Sequence, residues 1–361
     1  MPLGDFLVAY LRKAGVTHLF GIPGDLILSL FHKFAGPRGL EIVTLSHEPG
    51  VGFAADGYAR STGKMGVLAV TYGAGGHNVV NPVAGSFSEE VPVLVISGGP
   101  GERELEPGRL IHHQAKDVES QHRIFREVTC ATRVLEHPER AAEEIHDLVQ
   151  TIQIERRPGY LEIHRDVVDV EISIPARIRQ WDGSVPGVKS DPGAVSEAAR
   201  ETVARLNGAK RPIVIAGIEV HREGGGKALV RLAEALEVPV LTTVLSKGVF
   251  PMNHPLHFGV YCGRFSPEPI RRRTSASDLL LVLGALPTDL NLGPAPAHPN
   301  PGREIWAIGR EVRVSRHTYT GVSLTSFLRA LLRIGTLRPH EEKVRYVDNL
   351  RPPRNETRSP V

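Results

Sequence analysis

Asp25, Glu48, His112 and His113 are the side chains whose types and positions could do chemistry. Glu48 follows an apolar run at 40–45 and opens a stretch of small residues at helical spacing: Gly50, Gly52, Ala54, Ala55, Gly57 and Ala59. Such a helix lets a second helix or a flat ligand come close to its backbone. A carboxylate before a helix is ordinarily a cap or a first-turn anion. At the carboxyl end of a strand, where open α/β sheets bind ligands, it is also placed to serve one. Asp25 stands at the expected amino end of a helix over 26–34, and taken alone is a capping residue. His112 and His113 are neighbours, so their rings point differently and do not share one metal. Either could move protons near neutral pH, but without context two surface histidines is the better explanation.

The elements that must position these groups alternate along the chain. Leu3, Phe6, Leu7, Tyr10 and Leu11 predict an amphipathic helix stopping at Gly15. A strand at 16–20 runs into the tight loop Gly21-Ile22-Pro23-Gly24-Asp25, and strands follow at 40–45, 66–71, 92–97 and 161–164. Helices are expected at 49–62, 76–88 and 138–154. The loop Thr71-Tyr72-Gly73-Ala74-Gly75-Gly76 fits neither the dinucleotide fingerprint nor the lysine-bearing phosphate loop. Its glycines either turn the chain or let a ring lie against the backbone. Strand and helix in regular succession imply α/β architecture: two doubly wound, largely parallel-sheet domains with helices on both faces. The expected division is 1–165, a linker and entry helix at 166–205, a central Rossmann-like domain at 206–335, and a mobile Arg/Pro-rich tail at 336–361.

Composition removes several classes of function. The 361 residues are 41% hydrophobic, enough for two α/β cores. No window has the roughly eighteen apolar residues of a membrane span, and no basic region precedes the first apolar one, so a cytoplasmic protein is expected. Cys130 and Cys262 are far apart without metal-ligand spacing and read as buried thiols. A formal charge of +3 makes no case for nucleic acid, and Arg271-Arg272-Arg273 is expected in a solvated loop.

Six segments taken together resemble the thiamine diphosphate-dependent 2-oxo acid decarboxylases of the pyruvate, indolepyruvate and phenylpyruvate decarboxylase type. They are GIPGD at 21–25, SHEPGVGFAADGYAR at 46–60, TYGAGG at 71–76, SEEVPVLVISG at 88–98, LIHHQ at 110–114 and RPGYLEI at 157–163. PVLTTVLSKGVFP at 239–251 and SDLLLVLGALPTD at 277–289 resemble the family's central domain. The resemblance implies that Glu48 hydrogen-bonds the aminopyrimidine ring and favours the tautomer that deprotonates the thiazolium carbon. Asp25, His112 and His113 would orient the substrate carboxylate and manage protonation. Pro23, Gly24, Tyr72, Gly73, Gly75 and Asn78 would join Glu48 in holding the cofactor. Two departures fall where substrate would sit: His77-Asn78 after the glycine loop, and Gln114-Ala115-Lys116 after the histidine pair.

Nothing in the sequence matches the family's Mg2+- and diphosphate-binding motif, so the metal ligands are expected on a partner chain. The resemblance therefore implies one subunit of a split decarboxylase acting on a small 2-oxo acid, a homodimer within a heteromeric assembly. A split carboligase of the acetolactate synthase kind, or a non-catalytic relic of the fold, are the alternatives.

Overall fold

The computed structural model describes residues 1–106, 108–135, 137–185, 189–293 and 300–340. The chain divides into two compact units, Met1–Gly187 and Val188–Val361. The last 21 residues of the expected tail, 341–361, lie outside the described residues.

In the first unit α1 (Leu3–Lys13) leads to β1 (His18–Gly21), α2 (Leu28–Phe34), β2 (Glu41–Thr44), α3 (Glu48–Thr62) and β3 (Gly66–Val70). Then come α4 (Ala74–Asn78), α5 (Val80–Ser88), β4 (Val93–Gly99), α6 (Ser120–Val128), β5 (Ala131–Leu135), α7 (Ala141–Glu155), β6 (Gly159–His164) and α8 (Ala176–Gln180). The six strands are parallel and lie in the order β2-β1-β3-β4-β6-β5. Alternate residues of one strand feed different cores. Val67 and Ala69 pack with α1, α2 and α7, whereas Leu68 and Val70 pack with Val51 and Ala55 of α3, Val83 of α5 and Phe125 of α6. Helices thus cover both faces, and β3 and β4 are buried along their whole length, as the interior of a parallel sheet requires. Each buried Val or Leu contributes roughly 1.5–3 kcal/mol over its exposed state, so this sheet is a rigid base for its rim loops.

The second unit runs α9 (Pro192–Gly208), β7 (Pro212–Ala216), α10 (Ile218–Arg222), α11 (Gly226–Leu236), β8 (Val240–Thr243), β9 (His257–Tyr261), α12 (Glu268–Ala276) and β10 (Leu279–Leu283). It closes with α13 (Asp289–Leu292), β11 (Glu304–Ile308), β12 (Glu311–Val314), β13 (His317–Thr320) and α14 (Leu324–Arg333). Its sheet has the order β13-β12-β11-β10-β7-β8-β9, parallel except for the β11-β12-β13 edge. Asp191 caps α9 by accepting from Gly193 N and Ala194 N, with Pro192 in the first turn.

Four local expectations change. Helix α2 begins at Leu28 with Ile27 at its N-cap, so Asp25 caps nothing. The helix expected at 76–88 starts earlier, at Ala74, and breaks at Val79 into α4 and α5. Arg271, Arg272 and Arg273 lie on α12 rather than in a loop, and the Arg273 guanidinium sits 5.7 Å from the Phe258 ring centroid. Cys130 and Cys262 are both only partly buried, not enclosed thiols.

Candidate active site

In the first sheet the chain passes from β1 outward to β2 and then returns to the other side of β1 to form β3. A parallel sheet opens a crevice where its order reverses in this way, outside the carboxyl ends of the strands. The loops after β1 and β3 flank that crevice, and they touch: a Cβ on Gly24 would stand 2.6 Å from Thr71 Cβ. Thr71 Oγ1 donates to Asp25 Oδ1 at 3.3 Å. The other oxygen, Oδ2, lies 2.7 Å from His112 Nε2, with the Asp25 and His112 side chains 48% and 60% exposed. Asp25 is therefore the acceptor that joins the first loop to the histidine loop, not a helix cap. Pro23 is exposed beside it.

Glu48 opens α3, so its carboxylate sits at the positive end of the helix. Asn78 Nδ2 donates to Glu48 Oε2 at 3.1 Å, which fixes that oxygen. The other oxygen faces Gly75: a Cβ there would lie 3.8 Å from Glu48 Oε1 and 3.0 Å from Thr71 Cγ2. A Cβ at 75 would thus be tight against Thr71 and in ordinary contact with the carboxylate, so glycine lets the loop after β3 pack close to Glu48. The small-residue face of α3 also has a concrete use, since a Cβ on Gly52 would stand 2.3 Å from Pro82 of α5. Glu48 is half-buried within this chain.

His113 is held in the left-handed region, φ +66°, which strains a non-glycine residue and is common where function over-determines the backbone. Its backbone lies against Gly73. A Cβ on Gly73 would meet His113 O at 2.5 Å and His113 Cβ at 2.6 Å, and Gly73 itself has φ +76°. The His112 and His113 rings meet edge to face with centroids 4.8 Å apart. The histidine loop is also pinned by Tyr72. That side chain, 2% exposed, packs with Leu26 and Ile111 and donates to Val118 O at 2.8 Å, and burial pushes its pKa up to about 12. Tyr72 thus acts as a pillar beneath the loops, its ring packed with Leu26 and Ile111 and its hydroxyl engaged with Val118.

Glu48, Gly75, Thr71, Asp25 and His112 form one contiguous series along the crevice, with Gly24, Gly73 and His113 packed beside it. Carboxylates and imidazoles so placed can orient and exchange protons with a ligand lying over the glycines. Two clefts, of about 1010 Å3 beside α1 and α2 and about 770 Å3 beside α6, β5 and β6, are lined by none of these residues. No group of three or more His, Cys, Asp or Glu among the described residues is arranged to hold a metal ion. The sequence missed Gln121, Tyr160 and Glu162, which support the glycine loop from within. Among the described residues no helix is long and apolar enough to cross a membrane.

Residues 1–123 match the model of the thiamine pyrophosphate enzyme N-terminal TPP binding domain, and residues 199–333 that of the thiamine pyrophosphate enzyme central domain. The chain is 37% identical over 332 residues to an indole-3-pyruvate decarboxylase of Azospirillum brasilense, covering 92% of this chain and 60% of that protein. It is 33% identical over 340 residues to an alpha-keto-acid decarboxylase of Mycobacterium avium (93% and 59%), and 29% over 336 residues to pyruvate decarboxylase isozyme 3 of Saccharomyces cerevisiae (92% and 59%). The chain spans about 60% of the length of the curated relatives it matches. Its two sheets, the crevice of the first and the two matched segments together show that the chain belongs to the thiamine pyrophosphate enzymes, as their N-terminal and central domains.

Proposed function

We propose that this chain is the pyrimidine-side part of a thiamine diphosphate-dependent 2-oxo acid decarboxylase, with the diphosphate, Mg2+ and their ligands held by a separate chain. The observation that carries this is Glu48: one oxygen is fixed by Asn78 and the other is left beside the bare backbone of Gly75. The nitrogen of a flat ring laid against that second oxygen can share a proton with the carboxylate. The cofactor, when bound, supplies the electron sink that decarboxylation needs. The chain's own residues bind and steer: Gly24, Gly73 and Gly75 let the loops after β1 and β3 and the histidine loop pack close together around Glu48, whose second oxygen would share a proton with the ring nitrogen. Asp25 and His112 act as a hydrogen-bonded pair, 2.7 Å apart, that orients a small 2-oxo acid and returns a proton to the product. The exposure of that pair supports a site completed by a second surface, in a homodimer within a larger assembly.

The chain is mixed with Mg2+, thiamine diphosphate, a small 2-oxo acid and candidate chains bearing a diphosphate-binding domain, and CO2 release is followed. Release that requires both chains supports the proposal. Formation of an acyloin in place of the aldehyde would move it to carboligation, and no reaction with any partner would sink it.

A further inference from the structure

A buried polar series lies behind the glycine loop, and its hydrogen bonds admit one polarity. Gly73 N–H can only donate, so Gln121 Oε1 accepts it at 2.7 Å, which fixes the orientation of the amide. Gln121 Nε2 then has two hydrogens and two acceptors, Ser97 Oγ at 2.8 Å and Tyr160 OH at 2.7 Å. Ser97 passes its own hydrogen to Gly98 O at 2.7 Å, and Tyr160 donates to Glu162 Oε2 through a short hydrogen bond. Gln121, Ser97 and Tyr160 are fully buried and Glu162 is 4% exposed. The Tyr160 ring stacks on Phe125 at 4.2 Å, so the series is clamped to α6. Gly76 is glycine for the same reason, because a Cβ there would stand 2.2 Å from Gln121 Oε1.

We propose that Gln121 is a positioning residue: it sets Gly73, and through the Gly73 contact it sets the strained backbone of His113 and the place of the histidine pair. Gly73 is the only link needed, since its Cα faces both His113 O and His113 Cβ. An unpaired buried N–H is costly, so the loop moves when the acceptor is removed rather than waiting with Gly73 unsatisfied. The series ends on Glu162, a carboxylate beside the 770 Å3 cleft, so the loop after β3 is tied to β6 on the same face of the sheet. The catalytic meaning of this rests on the decarboxylase assignment, but the structural statement does not.

The test uses the whole chain with its glycines labelled with 15N, without partner or cofactor. In Gln121→Met, which keeps the volume and removes the acceptor, Gly73 N–H is expected to exchange about tenfold faster or more. Amides of β3 keep their protection, and the titration midpoints of the His112 and His113 rings move. Tyr160→Phe cuts the series one bond further out, and Gly73 exchange is expected to rise less, roughly threefold. In the reconstituted enzyme Gln121→Met lowers kcat more than it raises KM. Unchanged Gly73 exchange and unchanged histidine midpoints in a folded Gln121→Met chain would overturn the proposal. Should that variant not fold, unchanged Gly73 exchange in Tyr160→Phe does so. A chain with no decarboxylase activity would remove the assignment of function and leave the Gly73 measurement intact.

Discussion

In the first sheet β1 lies between β2 and β3, and in the second β7 lies between β8 and β10, so each unit has one crevice where strand order reverses. The first crevice holds Asp25, Glu48 and His112, with the Asp25 and His112 side chains 48% and 60% exposed. The second is filled by protein. A Cβ on Gly217 would lie 2.1 Å from Gly284 O and 2.2 Å from Ala285 Cα, and one on Gly284 would lie 2.7 Å from Glu219 Cβ. Glu219, 8% exposed, accepts from Gly309 N through both oxygens, at 3.1 and 2.9 Å. The same topology thus carries a polar cluster, Asp25, Glu48 and His112, at one switch point and a buried joint at the other. In both units the glycines after the strands face neighbouring protein, so what separates them is the exposed carboxylate and imidazole that the first presents. A glycine-rich loop at a switch point is therefore no sign of a site until its neighbours are known.

The largest expected effect breaks this comparison at its active side. Glu48→Gln keeps the shape and the contact with Asn78 but cannot take a proton, so kcat of the reconstituted decarboxylase is expected to fall at least about 100-fold. Melting of the chain alone should be nearly unchanged. Activity within a few-fold of wild type would mean that the carboxylate does no proton work, and the first crevice would then be as structural as the second.

Next come the paired glycine variants, Gly73→Ala and Gly217→Ala. Gly73 combines φ +76° and ψ −114° with the His113 contact, so alanine there is expected to cost on the order of 3 kcal/mol. Gly217 has an ordinary φ of −106°, and its cost arises from the backbone it abuts, a comparable loss by a different cause. Urea titration gives both losses. The comparison is sharpened by activity per folded molecule: Gly73→Ala lowers it, Gly217→Ala does not. A smaller loss is expected for Glu219→Ala, up to roughly 1.5–3 kcal/mol for the lost charge-assisted hydrogen bonds to the Gly309 N–H, with kcat unchanged. A fall in kcat there would show the second crevice to be more than a joint.

The sequence made the open crevice visible and left its support hidden. Asp25 and Glu48 follow strand ends, the histidine pair lies in a recognisable loop segment, and the apolar runs of β3 and of Val93–Ile96 in β4 announce a parallel sheet. Gln121 gave no such signal, because a glutamine in a polar helix looks like a surface residue until Phe125 and Tyr160 are known to bury it. The edge strand β5, ATRVL, is half-exposed and lacks a clean pattern. The β12-β13 hairpin was missed, although Val312 and Val314 are buried and alternate with Glu311 and Arg313. Its turn rests on Ser315 at φ +55°, where no glycine or asparagine marks it. The Asp25 cap failed because a short loop before a helix invites that assignment, whereas Thr71 and His112, remote in sequence, claim the carboxylate.

The smallest expected effect concerns acid, and it sets one histidine of each unit against the other. Burial lowers the pKa of His77 on α4 and of His257 at the start of β9. In both rings Nε2 is enclosed without a hydrogen-bond partner among the described residues. For His257, 4% exposed, a backbone hydrogen bond to Met252 opposes the shift and nearby His254 adds to it. The unfolded chain takes up a proton at each near pH 6.5, while the native chain stays neutral there. Native stability is therefore full above about pH 6.5 and is lost as pH falls from there toward the depressed native values. Proton uptake on unfolding, measured by calorimetry at successive pH values, should diminish in His77→Gln and in His257→Gln alike. The two differ in activity: His77 shares α4 with Asn78, the donor to Glu48, so its substitution also alters the acid limb of decarboxylation, whereas His257→Gln changes stability alone.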